Sequence, residues 1–343
     1  MLVLALMAVV WGAGWALGQP VRLRLIAIGA LWLGTMALHL ILPGGSGLRT
    51  ALGGTAAGWL VAGVLVALVL GYRAGLARLR ARAAPTPPSE GPFRPAELER
   101  YARHILLHEI GGPGQRALKA ARVLVVGAGG LGSPALMYLA AAGVGTIGVI
   151  DDDDVELSNL QRQIIHSEDR LGMAKVFSAE AAMKALNPFV TVRPYRRRLD
   201  AAVAAELVRA YDLVLDGTDN FDTRYLVNRV CAEAGVPLIS GAITQWEGQL
   251  SLFDPARGGP CYECVFPERP LPGMVPTCAE AGVAAPLPGV IGAMMAMEAV
   301  KHICGAGEGL RGRLMIHDAL YAETRVIGVK ARADCPVCGN SAA

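Results

Sequence analysis

The stretch from Arg122 to Ser133, Arg-Val-Leu-Val-Val-Gly-Ala-Gly-Gly-Leu-Gly-Ser, constrains this chain more than any other. Val123 to Val126 is a short apolar run rich in β-branched residues, which suits a buried central strand. It breaks into Gly127, Gly129 and Gly132, a G-x-G-x-x-G spacing, and continues into an alanine-rich apolar segment, 134–142, that reads as a helix. Glycines at those positions let the chain turn tightly and let backbone N–H groups approach a phosphate, whose charge a helix N-terminus favours. Asp151 closes the next apolar run, 146–150, where an acidic side chain can accept a hydrogen bond from a ribose hydroxyl. The pattern specifies a nucleotide site and leaves open which nucleotide.

Around this core the 343 residues, 53% of them apolar, have room for one large domain or two smaller ones. The net charge of +3 conceals an asymmetry. Residues 1–84 hold seven arginines and no Lys, Asp or Glu; removing those seven from 32 basic residues leaves 25 against 29 acidic. The remainder is mildly acidic. Its one basic cluster, Arg196-Arg-Arg198, reads as a solvated loop or strand edge, so nucleic acid is not expected as a partner.

Three apolar stretches, 2–18, 23–42 and 51–71, each approach the length that crosses ~30 Å of hydrocarbon. Their glycines are compatible with close helix packing in lipid. The first stretch lacks the basic start of a signal peptide and is the weakest span, so residues 1–82 read as two or three transmembrane helices. Arg22 and Arg24 lie between the first two stretches, and Arg73, Arg78, Arg80 and Arg82 follow the third. By the positive-inside rule this puts everything after residue 72 in the cytoplasm. Residues 83–95, rich in proline, read as a semi-extended linker and a domain boundary.

From residue 122 onward, strand-like runs at 123–126, 146–150, 190–193, 212–215, 236–239 and 249–253 alternate with helix-like segments at 134–142, 172–186, 200–210 and 222–234, and a Met-rich helix follows at 286–304. Such alternation predicts an α/β domain with a Rossmann-like, doubly wound, mostly parallel sheet. Ligands of such sheets collect at the carboxyl ends of the strands. The glycine loop, Asp151 to Asp154 and Asp216-Gly-Thr-Asp-Asn220 all fall there.

A glycine loop alone also suits a dehydrogenase. Four adjacent carboxylates, the hydrogen-bonding run Ser158-Asn-Leu-Gln-Arg-Gln163, the cations Arg162 and Lys175, and the oxygen donors Asp216, Asp219 and Asn220 point elsewhere. Cations and a hard metal such as Mg²⁺ around a nucleotide suit phosphoryl or nucleotidyl transfer better than hydride transfer. All seven cysteines follow residue 230. Cys261/Cys264 and Cys335/Cys338 form two CxxC pairs about seventy residues apart, the pattern of a closed Cys₄ zinc site that staples the chain end to the segment after residue 260. Cys231 and Cys304 sit in apolar helical surroundings and read as core.

Five segments together carry a specific resemblance. They are Arg100-Tyr-Ala-Arg-His-Ile105, Val126-Gly-Ala-Gly-Gly-Leu-Gly132, Leu157-Ser-Asn-Leu-Gln-Arg-Gln163, Leu215-Asp-Gly-Thr-Asp-Asn220 and Pro276-Thr-Cys-Ala-Glu-Ala-Gly-Val283. From about residue 97 to Gly339 the chain resembles the MoeB/ThiF/HesA family, bacterial relatives of the ubiquitin-activating enzymes, with its spelling nearest to MoeB. The resemblance implies an adenylyltransferase that joins ATP to the C-terminal glycine carboxylate of a small ubiquitin-like sulfur carrier ending in Gly-Gly, a MoaD-like carrier first and a ThiS-like one second, in molybdopterin or thiamine biosynthesis.

Carried over position by position, Gly130, Asp151, Ser158, Asn159, Leu160, Gln161, Arg162 and Lys175 contact the nucleotide. Asp219 is the Mg²⁺-linked carboxylate, with Asn220 beside it. Arg103 matches an arginine that reaches the neighbouring subunit's ATP site, which implies a homodimer. Cys278 stands where some relatives form a covalent bond with the carrier and others do not; a bystander thiol is the other reading. The soluble members lack an apolar N-terminal segment. With no rhodanese-like extension after Asn340, a separate sulfur donor is expected, and the apolar stretches place the whole at a bacterial inner membrane, facing the cytoplasm. Two other classes stand beside this reading: an NAD-dependent oxidoreductase, which leaves Arg162, Lys175, Asp219 and the paired cysteines unexplained, and a non-catalytic membrane scaffold, which predicts a damaged site.

Overall fold

A computed structural model describes residues 2–83, 91–271 and 281–339. The chain divides into two compact units, Met1–Glu90 and Gly91–Ala343.

The first unit is helical: α1 (Leu2–Ala16), α2 (Val21–Ile41), α3 (Gly47–Leu52) and α4 (Ala56–Ala83). Ser46 caps α3 by accepting the Arg49 N–H, and Gly53, at φ +72°, ends it. The Trp32 indole N–H donates to the Trp59 carbonyl at 2.9 Å, tying α2 to α4. Aliphatic side chains of α4, among them Leu60, Val61, Val64, Leu65 and Leu68, stay more than half exposed, a surface that water disfavours. Val21–Ile41 and the stretch Gly47–Arg78 are long and apolar enough to cross a membrane. Pro286–Cys304 is too, but half of it is buried inside the second unit, so it is a core helix there.

The second unit begins with α5 (Pro95–Ile105) and α6 (Gly111–Ala120) and is built on one eight-stranded sheet of order β3-β2-β1-β4-β5-β6-β7-β8. Its strands are β1 (Arg122–Val126), β2 (Thr146–Asp151), β3 (Thr191–Arg196), β4 (Leu213–Asp216), β5 (Leu238–Ile243), β6 (Glu247–Phe253), β7 (Arg313–Asp318) and β8 (Glu323–Gly328). β1 to β5 pair in parallel, and β6 to β8 continue the sheet antiparallel. The expected mostly parallel, Rossmann-like sheet is present. The closing hairpin of β7 and β8 was not expected from the sequence: every residue of β8 is exposed, so it carries no continuous apolar run.

Alternate residues of β1 serve opposite faces. Val123 and Val125 join a core with α7 (Gly132–Ala142), α8 (Lys175–Leu186) and α12 (Pro286–Cys304). Leu124 and Val126 join a second core with α9 (Ala201–Arg209) and α10 (Phe221–Ala234). The Met-rich helix α12 contributes Met295, fully buried, to the first core, in line with packing rather than chemistry. A side chain at Gly292 would collide with the Leu131 carbonyl, so this glycine lets α12 lie against the start of α7. The short α11 (Tyr262–Val265) carries the first CxxC pair.

Candidate active site

The strand order reverses direction at β1, whose neighbours β2 and β4 lie on opposite sides. A crevice opens outside the carboxyl ends at such a switch point. The structure has a cavity of about 1120 Å³ there, lined by the glycine loop, Asp151 to Asp153, Arg162, Gln163, Lys175 and Gly217 to Arg224.

The glycine loop is held from several directions. Gly127 has φ +94°, a conformation that favours glycine, and its amide donates to Ile150 O at 2.9 Å. A Cβ at Gly132 would run into the Gly127 carbonyl, so the turn closes only with glycine there. The Ala128 N–H donates to Asp151 Oδ2 at 2.7 Å, and the other Asp151 oxygen accepts the Asp153 N–H at 2.9 Å. Asp151 thus organises the loop, and burial raises its pKa above the ordinary carboxylate value despite these bonds. On the opposite side His166 donates Nε2–H to Ala128 O at 3.0 Å and accepts from Ser178 Oγ at 2.9 Å. Burial pushes the His166 pKa down to about 4, so the ring is neutral at pH 7.

Lys175 begins α8 with its side chain 6% exposed and pairs with Asp153 at 2.6 Å. Arg162 lines the cavity and spends one guanidinium N–H on Ser158 O. The exposed carboxylate of Asp219 also lines the cavity and has no hydrogen-bond or ion-pair partner among the described residues. Asn220 lines it while capping α10 through the Thr223 N–H.

Asp216 departs from its sequence reading as a metal ligand. It is fully buried, and its oxygens accept from the Thr218 N–H and hydroxyl at 3.0 and 2.6 Å and from Ser240 at 3.1 Å, while Arg224 lies 3.4 Å away. Arg224 in turn donates to Thr218 O and Gly241 O. This buried pair shapes the loop that presents Asp219, and Asp216 itself does not line the cavity.

Other sequence candidates fall outside the cavity wall. Ser158, Asn159, Leu160 and Gln161 form a helical turn beside it but do not line it. Arg103 is exposed on α5 and does not reach the cavity of its own chain. Cys278 lies outside the described residues. Conversely, Arg197 and Arg198 line the cavity, because β3 ends at the same sheet edge; the solvated-loop reading of this cluster missed that. Gln163, which the hydrogen-bonding run had included, lines the cavity, whereas His166 carried no signal as an isolated residue. Their i, i+3 spacing behind Arg162 on the turn facing the loop was the available clue.

Cys261, Cys264, Cys335 and Cys338 are buried and free of disulfides, with all four sulfurs within 4.8 Å of one another. Measured edges are 3.8 Å (261–264), 3.5 Å (261–335) and 3.3 Å (264–338). A disulfide needs about 2.05 Å, whereas sulfurs at about 2.3 Å from a central zinc define edges of about 3.8 Å. Burial raises the pKa of the Cys261 thiol, and that of Cys338 to about 11, so these thiolates require a cation to be stable at pH 7. The Arg332 N–H donates to Cys264 Sγ at 3.4 Å, further support for charge on sulfur. The donor set and its spacing fit zinc.

A profile of the ThiF family matches residues 101–337. The chain is similar to the SAMP-activating enzyme E1 of Haloferax volcanii, 50% identical over 244 residues that cover 71% of this chain and 90% of that one. It is similar to the sulfur carrier protein adenylyltransferase of Thermus thermophilus, 49% identical over 248 residues covering 71% and 92%. Among solved structures it resembles Escherichia coli MccB with ATP, with a TM-score of 0.62, 25% identity, and coverage of 70% of this chain and 75% of that one. A family match across most of the chain, with half the aligned residues shared with named activating enzymes, leaves one assignment: the chain belongs to the ThiF family and is an enzyme of its adenylyltransferase class.

Proposed function

We propose that residues 96–340 adenylylate the C-terminal glycine of a small ubiquitin-like sulfur carrier, a MoaD-like carrier first and a ThiS-like one second. One observation carries the reading: Gly127, Gly129, Gly130, Arg162, Lys175 and Asp219, far apart in sequence, line a single cavity. The same cavity extends past β4 along β5 and β6, with Ser240, Thr244, Glu247 and Gln249 on its wall. That extension supports an extended chain terminus entering beside the nucleotide.

In the proposed reaction a carboxylate oxygen of the carrier attacks the α-phosphorus of ATP, the bond to pyrophosphate breaks, and the carrier acyl-adenylate remains. The attacking carboxylate is already ionised at pH 7, so the protein needs no general base. Its task is to align the two reactants and to meet the charge that develops on the phosphates. Loop N–H groups, Arg162 and Lys175 supply that field. Asp219, whose carboxylate has no partner among the described residues, would hold Mg²⁺, which would neutralise phosphate charge when bound.

The two units are read as a membrane segment at 1–82 and a catalytic domain at 96–340, joined by the Pro-rich linker at 83–95. The exposed aliphatic faces of α2 and α4 favour a bilayer covering them, at a bacterial inner membrane with the catalytic unit in the cytoplasm. Zinc in the Cys₄ cluster is structural, since four protein ligands close its shell. Arg103 serves the partner's site in a homodimer. Sulfur comes from a separate donor. Cys278 is the candidate for a covalent carrier adduct formed as AMP leaves.

The test is carrier-dependent ATP–pyrophosphate exchange. The native host's Gly-Gly-ending protein is captured with ATP and identified by mass spectrometry. The wild type should exchange with it, and Asp219→Ala should not. Full exchange in that variant would sink the assignment.

A further inference from the structure

Residues 1–84 carry seven arginines and no Asp or Glu, so this part of the chain offers its guanidinium groups no carboxylate. Arg24, in the first turn of α2, is nevertheless held in the packing. Its stem lies in space that Gly14 of α1 leaves open: a Cβ on Gly14 would meet Arg24 Cγ at 2.7 Å and Cδ at 2.9 Å. Its guanidinium sits over the Trp11 ring, with Cζ 4.9 Å from the ring centroid. Arg24 is half-buried there, and its Nε is shielded with no hydrogen-bond partner among the described residues. Arg49, by contrast, donates an N–H to Leu42 O at 3.1 Å.

A shielded guanidinium N–H without an acceptor costs free energy that an acceptor from outside the chain would recover. The complementary group is anionic and accepts only. A phosphate diester meets both conditions, and its oxygens match the guanidinium fork. The surroundings choose a lipid over a free phosphate. Trp11 and Trp15, 40% and 73% exposed, stand in the last two turns of α1, and Val21, Leu23 and Ile26 of α2 are more than half exposed. Tryptophan and arginine among exposed aliphatic side chains suit the boundary between headgroups and acyl chains. On the topology proposed above this turn faces the cytoplasmic leaflet, whose anionic lipids attract cations next to membrane helices.

We propose that the α1–α2 turn is a binding site for an anionic phospholipid, with Arg24 donating to the lipid phosphate and Trp11 holding the guanidinium in place. This rests on the reading of residues 1–82 as a membrane segment and names the lipid class that segment takes.

The test uses the full-length protein, released from vesicles in mild detergent. Native mass spectrometry titrates phosphatidylglycerol and phosphatidylcholine onto wild type, Arg24→Gln, Trp11→Leu and Arg73→Gln. The wild type should hold phosphatidylglycerol about tenfold more tightly than phosphatidylcholine. Arg24→Gln should weaken the anionic lipid about tenfold, and Trp11→Leu about threefold. Arg73→Gln, which removes an exposed arginine of α4, should change it less than about twofold. No headgroup preference in the wild type would overturn the proposal. So would equal losses in Arg24→Gln and Arg73→Gln, which would reduce the effect to diffuse surface charge. Displacement of the lipid by an equal concentration of soluble glycerol 3-phosphate would also overturn it, in favour of a free phosphate. Trp11→Leu keeps every arginine and serves if Arg24→Gln does not fold; wild-type binding in it would sink the site. Carbonate washing of vesicles separates the two readings. Protein that withstands the wash without headgroup preference defeats the lipid site alone, whereas protein that washes off defeats the membrane reading and the site with it.

Discussion

His166 holds the carbonyl of Ala128 at 3.0 Å while Asp151 holds the N–H of the same residue at 2.7 Å. One residue of the glycine loop is clamped through both of its peptide groups.

The clamp carries a pH dependence. Burial lowers the folded-state pKa of His166 from 6.5 to about 4, with the nearby Lys175 and Arg170 acting in the same direction. Between those values the unfolded chain binds a proton that the folded chain excludes, so stability rises with pH there and is lost as pH falls from about 6.5 toward 4. At about 1.4 kcal/mol per unit the loss is on the order of 3 kcal/mol. Urea unfolding across this range should show it, and His166→Gln, which keeps an N–H donor but does not titrate, should flatten that part of the curve.

Gly132→Ala should damage the loop rather than merely stiffen it. The added methyl meets the Gly127 carbonyl, and the loop has to move to admit it. Overpacking of this kind costs about 1–3 kcal/mol. The expected result is a lowered denaturation midpoint together with loss of ATP binding by calorimetry; intact binding would show that the loop is not clamped as described.

Cys335→Ser should remove the metal. Metal analysis of the wild type should find one zinc per chain and of the variant none, with the melting temperature down by about 10 °C for a loss of several kcal/mol. A wild type without zinc would overturn the metal reading.

A shared site in a homodimer has a distinctive signature. Arg103→Ala and Asp219→Ala chains should each be inactive alone, yet co-expressed they should recover up to about a quarter of wild-type exchange, because a mixed dimer regains one intact site. No recovery in a verified mixed dimer would place Arg103 outside the partner's site.

Much of the molecule was legible in the chain because its signals are local. G-x-G-x-x-G after a β-branched run demands a tight turn wherever it occurs, and Gly127 at φ +94° provides it. The spacing of Cys261/Cys264 and Cys335/Cys338 announced a four-sulfur cluster before any distance was measured. The β7–β8 hairpin was not legible, since a strand exposed on both faces carries no apolar periodicity.

By itself, then, the sequence determined the family, the switch-point crevice and the residue types that surround a nucleotide. The tertiary structure decided which of those groups are spent and which are free. Asp216 and Asp219 are three positions apart in one motif, but burial against Arg224 and Ser240 consumes the first and exposure leaves the second available. Gln163 and His166 look alike as polar residues in a loop, yet only Ala128 and Ser178 lie where a partner is needed, beside His166. Satisfaction of a polar group depends on neighbours distant in the chain, and no local pattern encodes that.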